Sequence, residues 1–148
     1  MNLLNKKKIL LILGPNLNMV GIRDTGIYGN ESADSIQLQI LEYSKKNGYI
    51  MEIFQSNWEG AIIDKIHKAK DDFDAVIINA GALSHYSLSI RDAITCIKIP
   101  FIEVHMSNIY AREEFRKNSV ITDVCAGQIV GFGKYSYFLA IDAIKRLV

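Results

Sequence analysis

Short, β-branched and nearly all-apolar runs alternate along the chain with longer segments whose apolar residues recur every three or four positions. The runs at 8–13, 49–55, 75–79, 101–105 and 124–131 predict strands. Several are continuously apolar, as strands of a parallel sheet covered on both faces are. Segments 32–47, 58–70, 87–97 and 134–148 carry the helical period, and 112–117 reads as a shorter helical piece. Gly48 follows the first of these helices as a stop signal, and Asp34 places an acid in its first turn. Repeated β-α units of this kind predict an α/β fold: an open five-stranded parallel sheet, order 2-1-3-4-5, with right-handed crossovers and helices on both faces. No linker, repeat or low-complexity segment interrupts the pattern, so 1–148 reads as a single domain.

Composition narrows this picture without naming a partner. Seventeen basic and 16 acidic side chains leave a net charge of +1, with 49% of the 148 residues apolar and 22% charged. A chain of this length buries roughly 70% of its unfolded surface, so one core needs no disulfide or metal staple. The near-neutral balance argues against nucleic acid, because phosphate binding needs a Lys/Arg excess. Three lysines precede the apolar run at 9–13, but no small-residue cleavage site follows, so a first buried strand is expected rather than a signal peptide. That run is also far too short to span a membrane. Cys96 and Cys125 lie in apolar patterns with no second ligand beside them, and are expected as buried free thiols in a reducing, cytoplasmic setting.

In open parallel sheets the ligand crevice lies beyond the carboxyl ends of the strands, near the switch point between strands one and three. After strand one, Gly14-Pro15-Asn16-Leu17-Asn18 opens a stretch expected to lack regular structure until about Asn30. Loops this long usually serve as lids or binding loops. Gly21, Gly26 and Gly29 are its hinges around Arg23, Asp24 and Tyr28, and its glycine spacing is no phosphate-binding loop. After strand three, Asn79 and His85 are expected near the crevice, offering amide and imidazole groups suited to a polyhydroxylated ligand. The plainer reading is that Asn79 stabilises a turn and Ser84 or Ser87 caps the next helix. Asp92, on that helix, could simply pair with lysines on a solvated face. On strand four, alternation sends Glu103 and His105 to the same side, so that the carboxylate could hold the imidazole for catalysis. A satisfied core histidine is the competing reading of His105, while His67 reads as a surface residue. Histidines at 67, 85 and 105 make no metal motif, and acid–base chemistry without a metal or cofactor is expected. Arg23, Arg112 and Arg116 are available for anion binding.

Taken in order, these pieces resemble the type II 3-dehydroquinate dehydratases. The matching residues are Gly14-Pro15-Asn16-Leu17-Asn18, Arg23 with Tyr28-Gly29, Gln55-Ser56-Asn57 with Glu59-Gly60, and Asn79-Ala80-Gly81 with His85. They continue with Arg91-Asp92, Glu103-Val104-His105 with Ser107-Asn108, Arg112-Glu113-Glu114-Phe115-Arg116, and the glycines from 127 to 133. The resemblance implies a flavodoxin-like fold and a lyase of the shikimate pathway, leading to chorismate and the aromatic amino acids. Such an enzyme dehydrates 3-dehydroquinate to 3-dehydroshikimate by anti elimination through an enolate-like intermediate.

It further implies that Tyr28 removes the proton alpha to the ketone and that His105 protonates the departing hydroxyl. A free tyrosine titrates near about 10, so a base at neutral pH needs help, and Arg23 resembles the family's activating arginine. By the same resemblance Asn16 positions a water or the enolate oxygen, and Glu103 orients His105. The amides of Met106 and Ser107 receive the substrate carboxylate, while Asn79, His85 and Arg116 contact its oxygens. Asp92 reaches a neighbouring subunit's site, which implies trimers, commonly assembled into a dodecamer. Two departures stand out: Arg23-Asp24-Thr25 replaces the frequent Arg-Glu-Pro of the lid, and Tyr86 stands where threonine is usual. A non-catalytic flavodoxin-like binding module is the alternative. Its flavin-binding form would need a phosphate-cradling loop, and the segment from Gly14 to Gly21 is poor in the Ser/Thr such a loop uses.

Overall fold

The computed structural model describes residues 3–22 and 24–148. Five parallel strands, β1 (Lys8–Leu13), β2 (Ile50–Gln55), β3 (Ala75–Asn79), β4 (Phe101–His105) and β5 (Gly127–Val130), form one sheet. Their order is β2-β1-β3-β4-β5, as the sequence pattern predicts. Alternation along the strands divides the core into two layers. Ile9, Leu11, Leu13 and Ile77 pack with Ile36, Ile40, Tyr137 and Ile141 on one face. Leu10, Ile12, Val76 and Ile78 pack with Ile62, Ile66, Ile90 and Ile94 on the other. The first layer is covered by α2 (Ala33–Lys46) and α5 (Tyr135–Ile144), and the second by α3 (Glu59–Asp72) and α4 (Leu88–Thr95). Each fully buried Ile or Leu contributes about 1.5–3 kcal/mol, which is why strands buried on both faces carry almost no polar residue before their carboxyl ends.

Local sequence sets the helix ends that frame the crevice. The Ser32 hydroxyl accepts from Ser35 N at 3.1 Å to start α2, and the Ser87 hydroxyl accepts from Ile90 N at 3.0 Å to start α4. Ser87, not Ser84, is therefore the cap. At the switch point, a Cβ on Gly14 would stand 2.4 Å from the Ala80 carbonyl oxygen. Only glycine lets the turns after β1 and β3 meet there.

Several boundaries differ from the sequence expectation. β5 begins at Gly127 rather than 124, because residues Thr122–Val124 form a 3-10 turn. The piece expected at 112–117 is a 3-10 turn over Glu114–Lys117. The loop after β1 is not wholly irregular: it holds a 3-10 turn at Leu17–Met19 and one helical turn, α1 (Thr25–Tyr28). Cys96 is exposed rather than buried, since α4 ends at Thr95 and Cys96 lies on the turn beyond the buried stripe. Cys125 is half-buried, and both thiols are free. His67 is exposed, as expected. No described helix is long and apolar enough to cross a membrane.

Candidate active site

A small pocket, partly open to solvent, lies where the carboxyl ends of β3 and β4 meet the loop after β1. Tyr28, Asn79, His85, His105, Met106, Ser107, Arg112 and Arg116 line it. Two faces of the sheet contribute. Asn79 shares its side of β3 with Ile77 and is held from α5: its amide Nδ2 donates to the Tyr137 hydroxyl at 2.9 Å. Its Oδ1 accepts from Gly81 N at 3.1 Å, so the turn-stabilising role and the pocket-lining role coexist. The Tyr137 hydroxyl is kept neutral, because burial pushes its titration up.

Glu103 and His105 lie on the opposite side, and their period-two spacing does bring them together. His105 Nε2 stands 2.6 Å from Glu103 Oε2. Burial pushes the Glu103 carboxyl up, but hydrogen bonds from His105 and Thr122, the His105 charge and the Ser119 hydroxyl outweigh it and hold the group below its usual range. An ionised carboxylate only accepts, so the proton of that contact belongs to Nε2 of His105. His105 Nδ1 is thereby the nitrogen left for other chemistry.

His85 is fixed in the complementary way. Its Nδ1 stands 2.7 Å from the Asn118 carbonyl oxygen, which can only accept, so Nδ1 carries the proton and Nε2 a lone pair. Burial lowers its titration and outweighs the opposing Asn118 contact, with the positive charges of His105 and Arg116 adding to the shift. The His85 and His105 rings stack with centroids 6.1 Å apart.

Tyr28, at the end of α1, reaches the pocket from the lid. Arg112 Nη1 donates to its phenol oxygen at 2.8 Å and to the Ser107 hydroxyl at 3.2 Å, and the guanidinium lies 5.5 Å from the Tyr28 ring centre. Arg112 was legible in the sequence only as one of three available cations. Arg112 has extended backbone between two 3-10 turns, so no helical period marks it, and its contact with Tyr28 is set by the fold. Arg23 lies outside the described residues. Asn16 stands in the left-handed region, φ 69°, with its backbone N donating to Asn57 Oδ1 at 3.0 Å; it flanks the pocket without lining it. Asp92 is exposed on α4 and does not line its own chain's pocket. Among the described residues no three His, Cys, Asp or Glu side chains group as metal ligands.

Sheet order and a switch-point crevice lined by two imidazoles and a phenol define a flavodoxin-like α/β protein with titratable side chains gathered in one pocket. A family model described as dehydroquinase class II matches residues 7–145. A 3-dehydroquinate dehydratase of Thermotoga neapolitana is 50% identical over 140 residues, covering 95% of each chain. One from Bacillus mycoides is 52% identical over 95% of this chain and 96% of its own. The crystal structure of a type II dehydroquinase from Butyrivibrio crossotus superposes with a TM-score of 0.93 at 51% identity, covering 95% of this chain and 98% of that one. The chain belongs to the class II dehydroquinase family.

Proposed function

We propose that this protein dehydrates 3-dehydroquinate to 3-dehydroshikimate by metal-free anti elimination, as a hydro-lyase of the shikimate pathway. Family membership favours this over a non-catalytic binding module. Tyr28, as phenolate, takes the proton alpha to the ketone; the electron pair moves into an enolate; the carbon–oxygen bond then breaks as His105 Nδ1 gives its proton to the leaving hydroxyl, which departs as water. Tyr28 ends protonated and His105 neutral, and proton exchange with solvent resets both.

The observation that carries this reading is the pairing of two opposed groups in one pocket. A guanidinium donates to the Tyr28 oxygen at 2.8 Å, where it stabilises developing negative charge, and a carboxylate 2.6 Å from His105 stabilises the imidazolium. Arg112 therefore takes the part of a tyrosine partner, the role that the family resemblance assigns to Arg23. His85 Nε2 accepts from a substrate hydroxyl, and Asn79 and Arg116 bind the remaining oxygens. The amides of Met106 and Ser107 take the carboxylate, and Asn16 holds a water or the enolate oxygen. Asp92 enters a neighbouring subunit's site within a trimer, itself part of a dodecamer. Single-domain organisation over 1–148 and a cytoplasmic setting complete the reading, with the two free thiols in keeping with a reducing compartment.

Appearance of the conjugated enone in the ultraviolet, with purified protein and 3-dehydroquinate, tests the activity; no signal would sink it. Tyr28→Phe and His105→Ala are each expected to lower kcat by about 10²–10⁴, the usual contribution of a positioned base or acid. Near-normal turnover by either variant removes that residue from its role.

A further inference from the structure

The Glu103 carboxylate is wholly buried behind His105, and it accepts from four donors. On Oε2 these are His105 Nε2 at 2.6 Å and the Ser119 hydroxyl at 2.8 Å. On Oε1 they are the Thr122 hydroxyl and, at 3.2 Å, Gln128 Nε2. A carboxylate offers about four lone-pair sites, so the set is full. The single hydroxyl hydrogen of Thr122 goes to Glu103, so Thr122 accepts from Gln128 Nε2, 3.1 Å away. Both amide hydrogens of Gln128 are thereby spoken for. Turning this amide over would set its oxygen against the carboxylate. From the outer side the Tyr110 hydroxyl donates to Gln128 Oε1 at 3.1 Å, which fixes the amide in its one workable orientation. Glu103 and Gln128 are register partners on β4 and β5, so the sheet itself aligns the pair.

We infer that Gln128, held by Tyr110, is a positioning residue for His105, acting through Glu103 to keep the Nε2 proton in place and Nδ1 free to protonate the leaving hydroxyl. The inference deepens the acid role of His105 and rests on it. Its physical basis is competition. Donors on the far side of a carboxylate draw on the charge that would otherwise hold the imidazolium. With the cage full, Glu103 orients the ring without gripping its charged form too tightly to release a proton. With one donor removed, the carboxylate becomes a stronger acceptor for the imidazolium, and proton delivery slows.

The other charged or titratable groups around this pair stay constant in the test. Across the pocket from His105 stand His85, Tyr28, Arg112 and Arg116. Near Glu103 on the β5 side stands the Cys125 thiol, which burial, with the nearby Glu103 and Asp123 charges, pushes up to about 12, so it stays neutral.

The experiment measures kcat and KM for 3-dehydroquinate against pH in full-length Gln128→Leu and Tyr110→Phe. Gln128→Leu is expected to lower kcat about tenfold, a fraction of a full general acid's contribution, with KM within about twofold. The high-pH limb of its kcat profile should move up by about half a unit or more. Tyr110→Phe should shift the limb in the same direction by less. Tyr110 is 52% exposed, so this variant keeps the fold and decides the matter even if Gln128→Leu does not fold. A limb that stays put or moves down overturns the inference, whatever happens to kcat. His105→Ala separates the two claims: if it cripples turnover while the limb is unmoved, only the role of Gln128 falls, and if it leaves turnover intact, the acid assignment falls as well.

Discussion

His85 and His105 stack 6.1 Å apart, yet their hydrogen bonds give them opposite chemistry. A backbone carbonyl fixes the proton of His85 on Nδ1, whereas a carboxylate fixes that of His105 on Nε2. His85 therefore offers a lone pair to the pocket, and burial keeps it neutral by moving its titration below the usual 6.5. The acceptor is intact through neutral pH and is lost as pH falls through the lowered value. KM is accordingly expected to rise on the acid side of pH 6.5, and His85→Ala is expected to raise KM at neutral pH and flatten that rise. Steady-state KM across the acid range checks it; a wild-type rise that survives in His85→Ala assigns it to another group.

At the scale of elements, the lid carrying Tyr28 is pinched at its neck. Ala33 N donates to the Val20 carbonyl at 3.2 Å, and a Cβ on Gly21, where φ is +90°, would stand 2.6 Å from the Glu31 carbonyl oxygen. Lys134, just before α5, clamps the same neck by donating at 2.8 Å both to Glu31 and to Gln39 Oε1. The Lys134 hydrogen bond, then that from Ser35, holds the Glu31 carboxyl at about 2. A depressed carboxyl stabilises the fold above its unfolded value of 4.5 and loses that contribution as pH falls toward about 2. Lys134→Met should therefore cost stability at neutral pH, and the gap in Tm to the parent should close between pH 4.5 and about 2. A gap independent of pH contradicts the clamp. Gly21→Ala forces a side chain into the left-handed region against the neck and is expected to cost about 1–3 kcal/mol, read as faster proteolysis of the lid and lower kcat/KM.

Asp92 is exposed on α4 and is not among the residues lining its own chain's pocket. If a neighbouring chain's site needs it, Asp92→Asn and Tyr28→Phe should each be poorly active alone. Mixed oligomers of the two should regain activity, because a site combining Tyr28 of one chain with Asp92 of the next is intact. Co-expressed mixtures no better than either variant argue that each chain's site is complete, and sedimentation of the same samples gives the assembly.

The amino-acid pattern made the doubly covered sheet and the pairing of Glu103 with His105 legible, because hydrophobic runs and period-two spacing are local properties of the chain, and the strand order followed from the topology rules for repeated β-α units. It was weaker where burial ends: Cys96 escapes the core once α4 stops at Thr95, and β5 starts late because a 3-10 turn occupies Thr122–Val124. That same turn supplies Thr122 to the Glu103 cage. Tertiary structure alone decided that cage, the contact of Arg112 with Tyr28 across 84 positions, and the link from Asn79 to Tyr137 across 58. Each joins side chains from separate elements, and their geometry exists only once the sheet has set its register and the helices have closed over it.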